Sequence, residues 1–430
     1  MHYANVILDL NMHHNCCSYF YNNMHSILQE DVSSFLCYHG NQFRLRHITP
    51  RSQVTSVLPI TQTVKTIEKI DTHHHMIPPV YLDPSPTEHS SAFICYTILM
   101  TLPDIKENFK ESSDLIFPTW SPQISLDFMA RNCISTSILS FAHTAIDDSS
   151  LCQDINIFAH NLCLQYPTKF GFFATIPTIT IASIPEVLAS IKFCYERLNP
   201  DGFTLLTSYD GKYLGHEIFQ PVWEELNRIS AVVFIHPIAN SLSPQLLAHS
   251  SLIPPIVDFT HEMTRTACSL IYSNTLSSFP KLKIILSHAG GALPYVSASV
   301  AKLTFDASLS VKTPEQFMRE ARSFYTDLAA SSYSGPMEYI EKWLGPRRTT
   351  YGSDFPFPIE STMVEESNFL DGWINKNGDE GKAVLRKTAL ELFPRLKAQI
   401  EQAQVVEEKS RIENLNASSG ESDVAFTNAV

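Results

Sequence analysis

The sequence has few basic residues, no paired-cysteine motif and no long apolar run, and each absence argues against a class of protein. Its 430 residues contain 31 Lys and Arg against 44 Asp and Glu, a formal net charge of −13. No nucleic-acid partner is expected, because binding phosphates requires a clustered basic surface. No membrane span is expected either, because the apolar run at residues 93–102 is shorter than the roughly 20 residues that cross a bilayer.

The nine cysteines are odd in number and scattered, and none forms a C-x-x-C pair. This spacing argues against a zinc ribbon or a dithiol redox motif, and it suits a reducing compartment. The first arginine is Arg44, and no basic region followed by an apolar one stands at the N-terminus. We therefore expect no secretory or mitochondrial leader and a cytoplasmic protein.

The two ends of the sequence differ in composition from its middle. Residues 1–66 are rich in Asn, His, Cys and Tyr and show no sustained period, which predicts an N-terminal extension of uncertain order. Residues 399–430 are polar and acidic and are predicted to form a disordered tail. The region between them, 67–398, is the predicted catalytic domain, with a Pro-rich insertion at 79–118 over its mouth.

Eight short β-rich runs alternate with helical patterns in this middle region. Their apolar residues are nearly continuous, as expected for parallel strands buried on both faces. The predicted strands are Thr66–His73, Ile134–Phe141, Phe170–Ile176, Gly202–Thr207, Ala231–His236, Leu282–His288, Phe324–Ala329 and Thr349–Asp354. The predicted helices include Pro185–Leu198, Phe219–Ile229, Glu262–Phe279 and Pro314–Ser323. This alternation predicts an α/β fold, a (β/α)8 TIM barrel of the metal-dependent hydrolase type, with a doubly wound open sheet as the alternative.

Titratable side chains stand at the ends of four predicted strands. His73 and His75 end the first strand, His236 the fifth, His288 the sixth and Asp354 the eighth. In a parallel barrel the C-terminal strand ends meet at one face, which is where active sites lie. Because His73 and His75 are two residues apart, their side chains should point to the same side of the strand.

This placement predicts a metal site and leaves the intervening histidine outside it. His74 should point towards the helical layer. The three imidazoles and one carboxylate of His73, His75, His236 and Asp354 suit Zn²⁺, with Mn²⁺ or Fe²⁺ as alternatives. Binuclear barrels of this kind bridge their ions with a carboxylated Lys on the fourth strand, which has none here. We therefore expect one divalent ion per chain.

Several of these motifs resemble those of one known family. The segments IDTHHHMIPP, DGFTLLTSYDGKYLG, VVFIHP, KIILSHAGGALPYV and YGSDFPF are similar to motifs of the amidohydrolase superfamily, in the same order. Within it the sequence resembles the aminocarboxymuconate-semialdehyde decarboxylase group, and most of all the fungal 6-methylsalicylate decarboxylases. The resemblance covers residues 68–398.

The resemblance implies a metal-dependent carboxy-lyase. Members of this group release CO₂ from an aromatic acid without oxidation, and the fungal enzymes convert 6-methylsalicylic acid, a polyketide of secondary metabolism, to m-cresol. Carried over to this sequence, the resemblance makes His73, His75, His236 and Asp354 the metal ligands. It makes His288, in SHAGG, the catalytic His of that group. For the mechanism, the hypothesis is that Asp354, or His288 through it, is also catalytic and supplies the proton for decarboxylation.

The resemblance also indicates three residues that contact a small aromatic carboxylic acid. Arg265, in EMTRTACSLIYS, falls where related sequences carry an Arg that could hold the substrate carboxylate, also across a homodimer interface. Trp120 in PTWSP and Tyr213 in GKYLG match recurring positions. A surface salt bridge is the alternative for Arg265, and a core position is the alternative for Trp120.

The residues alone leave two other functions open. The same ligands could hold a metal hydroxide for hydrolysis of a lactone or amide, with Asp354 as base and His288 polarising the carbonyl. A non-catalytic barrel with a structural metal is the second alternative. Structural zinc sites are closed and usually rich in Cys, whereas this set is rich in His at a barrel mouth.

Overall fold

The computed structural model divides the chain into two units, residues 1–64 and 65–430. The described residues are 34–39, 42–47, 68–82, 118–142, 145–238 and 255–420. In the first unit, strands Ser34–His39 and Gln42–His47 pair in antiparallel fashion. Most of the predicted extension 1–66 and of the predicted insertion 79–118, and residues 421–430 of the predicted tail, lie outside the described residues.

The second unit contains eight parallel strands in a nearly closed barrel. They are β1 (Lys69–His75), β2 (Ile134–Ser140), β3 (Phe170–Thr175), β4 (Gly202–Leu206), β5 (Val232–His236), β6 (Lys283–Leu286), β7 (Tyr325–Asp327) and β8 (Thr349–Thr350). Their order in the sheet is their order along the chain. Parallel bridges from Asp71 to Tyr351 and from His74 to Phe355 join β1 to the segment after β8. The predicted (β/α)8 barrel is therefore confirmed, and the doubly wound alternative is wrong because strand order never reverses.

Each predicted strand overlaps an observed one, but the last three predicted strands extend well past the observed C-terminal ends. The sixth ends at Leu286 rather than at His288, the seventh at Asp327 rather than at Ala329, and the eighth at Thr350 rather than at Asp354. His288 and Asp354 have φ angles of 52° and 60°. A residue in this left-handed region cannot continue an extended strand.

Helices cover the outside of the barrel. The helices are Pro79–Leu82, Pro122–Arg131, Ser149–Gln165, Ile184–Phe193, Gln220–Arg228, Asp258–Tyr272, Thr275–Ser278, Leu293–Asp306, Pro314–Ala321, Ser334–Trp343, Glu360–Lys382, Thr388–Leu392 and Pro394–Gly420. The predicted helix Glu262–Phe279 is two helices, because Asn274 adopts a φ of 61° between them. Among the described helices, none combines the length and the apolar character that crossing a membrane requires.

Local sequence explains where several helices begin. Thr313 forms a capping box with Gln316, in which each side chain bonds the other residue's backbone N–H. Proline occupies the first turn of the helices that start at Pro122, Ile184 and Pro314, where its missing N–H costs no helical hydrogen bond.

The C-terminal helices pack on an apolar cluster that the barrel strands form at their N-terminal ends. The strands contribute Ile70, Ile138, Phe173, Val232, Phe234 and Ile285, and the helices contribute Ala389, Leu392, Phe393, Leu396 and Ile400. The helix Pro394–Gly420 continues beyond this contact, and its residues 401–413 are exposed. They fall within the predicted tail 399–430, whose boundaries stay a prediction.

Candidate metal centre and active site

Four of the predicted site residues come together at the C-terminal end of the barrel. His73 and His75 on β1, His236 at the end of β5, and Asp354 offer ligand atoms that all lie within 4.8 Å of one another. The Nε2 atoms of His73 and His75 are 3.0 Å apart. They lie 3.1 and 3.0 Å from Oδ1 of Asp354. The three rings are buried, so the strand geometry delivers the predicted ligand set to one point.

Hydrogen bonds on the far side of the His73 and His75 rings fix their orientation. Nδ1 of His73 lies 2.9 Å from Oδ2 of Asp327, and Nδ1 of His75 lies 3.0 Å from the hydroxyl of Ser140. An ionised carboxylate only accepts, so Nδ1 of His73 donates to Asp327 and Nε2 faces the cluster. Partners of this kind orient metal-ligating imidazoles in proteins.

The charges around His73 favour a cation at this point. Burial lowers the pKa of His73, but the carboxylates of Asp327 and Asp354 outweigh it and raise the pKa to about 10. Burial opposes ionisation of Asp354, yet its neighbour His73 holds the pKa of that carboxyl well below the usual range. A divalent ion at Nε2 would replace the proton that this field otherwise keeps on His73.

The other two imidazoles are held neutral, as metal ligands must be. Burial lowers the pKa of His75 to about 4, against the opposing hydrogen bond to Asp354. Burial and the charges of His75 and His73 lower the pKa of His236 well below its usual range. Nδ1 of His236 is buried without a hydrogen-bond partner among the described residues. Coordination would satisfy such an atom, and the residues present therefore fit a divalent metal ion.

Asp327 is a functional residue that sequence reasoning missed. It is fully buried at the end of β7, and its Oδ1 accepts hydrogen bonds from the backbone N–H groups of His288, at 3.1 Å, and Ala329, at 3.0 Å. Together with its bond to His73, these contacts join Asp327 to three residues of the site, His73, His288 and Ala329. The signal was a carboxylate near the C-terminal end of the predicted barrel strand Phe324–Ala329.

His288 lies beside the cluster rather than among the four ligands. Its ring centroid is 4.9 Å from that of His73 and 6.0 Å from that of His236. Nδ1 lies 3.2 Å from the carbonyl oxygen of Ala329 and donates to it, so the lone pair is on Nε2. Burial and the charge of His73 lower the pKa of His288, which keeps the ring neutral. A neutral imidazole here can accept or relay a proton.

The backbone around the site is strained. His288, Ala289 and Asp354 have φ angles of 52°, 58° and 60°. Each such residue costs on the order of 1–3 kcal/mol, and such costs cluster at functional sites. Gly352 permits the close approach of this segment to β1, because a Cβ there would lie 2.8 Å from Cβ of His73.

Two half-buried aromatic rings flank the cluster. The ring of Phe357 is 5.2 Å from that of His75, and the ring of Phe259, on the helix Asp258–Tyr272, is 5.9 Å from that of His236. Both contacts are edge-to-face. The sequence alone indicated neither ring, because their closeness to the histidines depends on how the helix Asp258–Tyr272 and the segment after β8 pack at this end of the barrel.

The other three candidates occupy different surroundings. Nη1 of Arg265 donates to Oε1 of Glu262 at 2.9 Å and to the Tyr213 hydroxyl at 3.4 Å, and the Arg265 side chain is 54% exposed. The structure thus brings Arg265 and Tyr213 together. Trp120 packs against the core between barrel and helices, with its ring 6.2 Å from that of Phe158. The substrate contacts of these three residues stay predictions.

Comparison with known proteins identifies the family. Residues 70–395 match the family Amidohydro_2, described as amidohydrolase. The chain therefore belongs to the amidohydrolase family, as its motifs indicated.

The relatives are decarboxylases. The chain is 38% identical over 344 residues to decarboxylase yanB of Aspergillus niger, across 76% of this chain and 88% of the relative. It is 32% identical over 351 residues to a 6-methylsalicylic acid decarboxylase of Penicillium expansum, across 78% and 99%. A 5-carboxyvanillate decarboxylase of Novosphingobium aromaticivorans, with bound manganese and 3-methoxy-4-hydroxy-5-nitrobenzoic acid, matches with a TM-score of 0.61 at 18% identity, across 78% and 99%. At that identity the structural match shows the shared fold.

Proposed function

We propose that this protein is a metal-dependent, non-oxidative decarboxylase of an ortho-hydroxybenzoate. The first candidate substrate is 6-methylsalicylic acid, which would give m-cresol and CO₂. The observation that carries the proposal is the cluster of His73, His75, His236 and Asp354 in a chain whose relatives at 30–38% identity are decarboxylases. The proposed assembly is a homodimer in the cytoplasm.

The four ligands would hold one divalent ion, with Zn²⁺ and Mn²⁺ as the candidates. Such an ion would supply Lewis acidity for the charge that develops on the phenolic and carboxylate oxygens of the substrate. The bound manganese of the Novosphingobium decarboxylase makes Mn²⁺ the first ion to test.

The chain's own residues would bind and orient the substrate ring. Phe259 and Phe357 flank the cluster and offer faces and edges to an aromatic ring. Arg265 and Tyr213 are the candidates for the substrate carboxylate, because a guanidinium forms paired hydrogen bonds with one. The buried surroundings of the cluster would keep water from the reacting carbon, which strengthens every electrostatic contact there.

Asp354 would move the proton that the reaction needs. Loss of CO₂ requires a proton at the ring carbon that carried the carboxylate. As a carboxylate, Asp354 has acceptor oxygens for the phenolic proton when the substrate binds. It would then deliver that proton to the ring carbon, while the C–C bonding electrons stay with the ring and CO₂ leaves. The neutral His288 would relay a proton from water to the phenolate, which restores the phenol of the product.

A substrate panel tests this function directly. Protein loaded with Mn²⁺ or Zn²⁺ is incubated with 6-methylsalicylate, 2,6-dihydroxybenzoate, 5-carboxyvanillate and an aromatic lactone. We expect CO₂ and the matching phenol from at least one acid, and loss of activity with a chelator that returns when metal is added back. Ring-opened acid from the lactone, without CO₂ from any acid, would instead establish the hydrolase alternative.

A further inference from the structure

Asp71, on β1 next to the metal cluster, is a fully buried carboxylate with four hydrogen bonds. Its Oδ1 accepts from the backbone N–H of His73 at 3.1 Å and of Ser353 at 3.0 Å. Its Oδ2 accepts from the Ser353 hydroxyl at 2.5 Å and from Nδ1 of His74 at 3.0 Å. Asp71 therefore ties β1 to the residue that immediately precedes Asp354.

His74 links this carboxylate to the helical layer, as its position between His73 and His75 predicts. Nδ1 of His74 faces an acceptor oxygen of Asp71 and therefore carries the hydrogen, while Nε2 accepts from the Ser125 hydroxyl, at 2.7 Å. Ser125 lies on the helix Pro122–Arg131. Both residues are fully buried, so water cannot replace either bond.

The His74 ring also supports the residue that follows Asp354. It stacks on Phe355 with centroids 4.7 Å apart and planes 28° apart, and Phe355 stacks in turn on Phe128 at 4.4 Å. The N–H of Phe355 donates to the Ser353 hydroxyl at 3.1 Å. The residues on both sides of Asp354 are thus held by the same buried network.

Asp354 needs such support because of its backbone conformation. Its φ of 60° lies in the left-handed region, which residues other than glycine adopt infrequently and at a cost in free energy that the surrounding contacts must offset. Its own N–H donates to the His73 carbonyl at 2.9 Å. A return to an ordinary φ would rotate the carboxylate away from the two Nε2 atoms it now contacts.

We propose that Asp71 and His74 are positioning residues that hold Asp354 in its ligating conformation, with Ser125 fixing the His74 ring. None of the three is among the four residues of the metal cluster, so they act through Ser353 and Phe355. The proposal rests on the proposed function only in its effect on turnover. Its effect on the metal affinity of the folded chain does not require any substrate.

Two substitutions at one position separate the two bonds of His74. The amide of His74→Asn stands near the former Nδ1 and keeps a donor for Asp71. The amide of His74→Gln stands near the former Nε2, so it keeps the contact with Ser125 and loses the donor to Asp71. We expect Mn²⁺ to bind 10–100-fold more weakly to His74→Gln, the range seen when partners of metal ligands are removed, and three- to tenfold more weakly to His74→Asn, which loses only the contact with Ser125.

The matched control is Asn156→Ala, which removes a fully buried polar side chain that has no hydrogen bond to Asp71, His74, Ser125 or Ser353. Asn156 bonds the backbone N–H and carbonyl of Thr175 on β3, both at 2.8 Å. We expect this variant to unfold at a lower temperature while its Mn²⁺ affinity stays unchanged. Isothermal titration with Mn²⁺ alone and thermal unfolding are measured on all variants of the full chain.

The outcomes distinguish positioning from general stabilisation. Equal Mn²⁺ affinity in His74→Gln and wild type overturns the proposal. A Mn²⁺ affinity that also falls in Asn156→Ala, in proportion to its lower unfolding temperature, overturns it too. If His74→Gln does not fold, Ser125→Ala replaces it. We then expect a three- to tenfold loss of Mn²⁺ affinity, and an unchanged affinity would overturn the proposal. Wild type that binds Mn²⁺ but releases no CO₂ from any acid overturns the proposed function and leaves this inference standing.

Discussion

The two ends of the barrel have opposite characters. The C-terminal end buries imidazoles and carboxylates, and His288, Ala289 and Asp354 adopt positive φ within the site itself. Towards the N-terminal end, the barrel interior holds an apolar cluster in which Phe173 and Phe234 pack against Phe393 and Leu396 of the C-terminal helices. Desolvated charge reduces stability, whereas apolar burial supplies it. The chain therefore keeps its chemistry at one end and much of its stabilising burial at the other.

A short stack of rings joins the two ends. The His73 ring contacts Phe234 at 5.0 Å, Phe234 stacks on Phe173 at 5.2 Å, and Phe173 contacts Phe393 at 5.7 Å. The rings of Phe234 and Phe173 thus separate His73 from the C-terminal helices. If the division of roles is correct, substitutions at the two ends will have separable effects.

Asp354→Asn tests the chemical end and should have the largest effect. The change keeps the size of the side chain and removes both its charge and its capacity to take a proton. We expect kcat/KM for CO₂ release to fall by about 10²–10⁴-fold, the usual contribution of a general acid or base, with weaker metal binding in addition. Full metal content together with full CO₂ release would contradict the assignment of Asp354.

Phe393→Ala tests the apolar end. The ring is 1% exposed and packs in the cluster with Phe173, so its loss leaves a cavity. We expect the free energy of unfolding to fall by about 3–5 kcal/mol in urea titrations. The kcat of the folded fraction at low temperature should stay unchanged, and a kcat that falls tenfold would show that the two ends are coupled.

Glu366→Gln tests whether burying a carboxyl near the chemical end reduces stability. Burial and the nearby charge of Asp354 raise the pKa of Glu366 to about 7, against hydrogen bonds from Tyr333 and Ala330. Because the folded pKa exceeds the unfolded one, the protonated carboxyl leaves the folded state more stable at low pH, and this extra stability is lost as the pH rises through about 7. The full loss is roughly 3 kcal/mol. Between pH 5 and pH 8 the unfolding temperature of wild type should therefore fall more than that of the variant, and parallel profiles would contradict this.

Arg265→Gln should have the smallest effect on stability. Its pair with Glu262 is about half exposed on the guanidinium side and buried on the carboxylate side, and the Gln amide keeps a hydrogen-bond donor for that carboxylate, so the loss should be about 1 kcal/mol. As the candidate partner of the substrate carboxylate, however, its loss should raise KM about tenfold. An unchanged KM would leave the surface salt bridge as the only role of Arg265.

The sequence was sufficient to predict the barrel and the cluster of His73, His75, His236 and Asp354. Apolar runs marked most of the strands, and the two-residue spacing of His73 and His75 determined which side of β1 each occupies. The predicted orientation of His74 is confirmed by its bond to Ser125. All of these follow from strand geometry, which is local and periodic.

Features that depend on contacts between distant segments were not predictable. Asp327 looked like any polar strand end, and its role follows from β7 bringing it against both His73 and His288. The ends of β6 and β8 were misplaced because tertiary contacts, rather than local preference, hold His288 and Asp354 at positive φ. Phe259 and Phe357 were missed for the same reason.

The hydrogen bonds that close the ring have a consequence for synthesis of the chain. Asp71 and Ser353 are 282 positions apart, so β1 leaves the ribosome long before its partner exists. At about 5–20 residues per second, the interval is about 15–60 s. Throughout that time the edge of β1 and its three histidines have no closing segment. Conditions that slow translation, or that restrict chaperones, should therefore lower the yield of active protein more than they lower the stability of protein already folded.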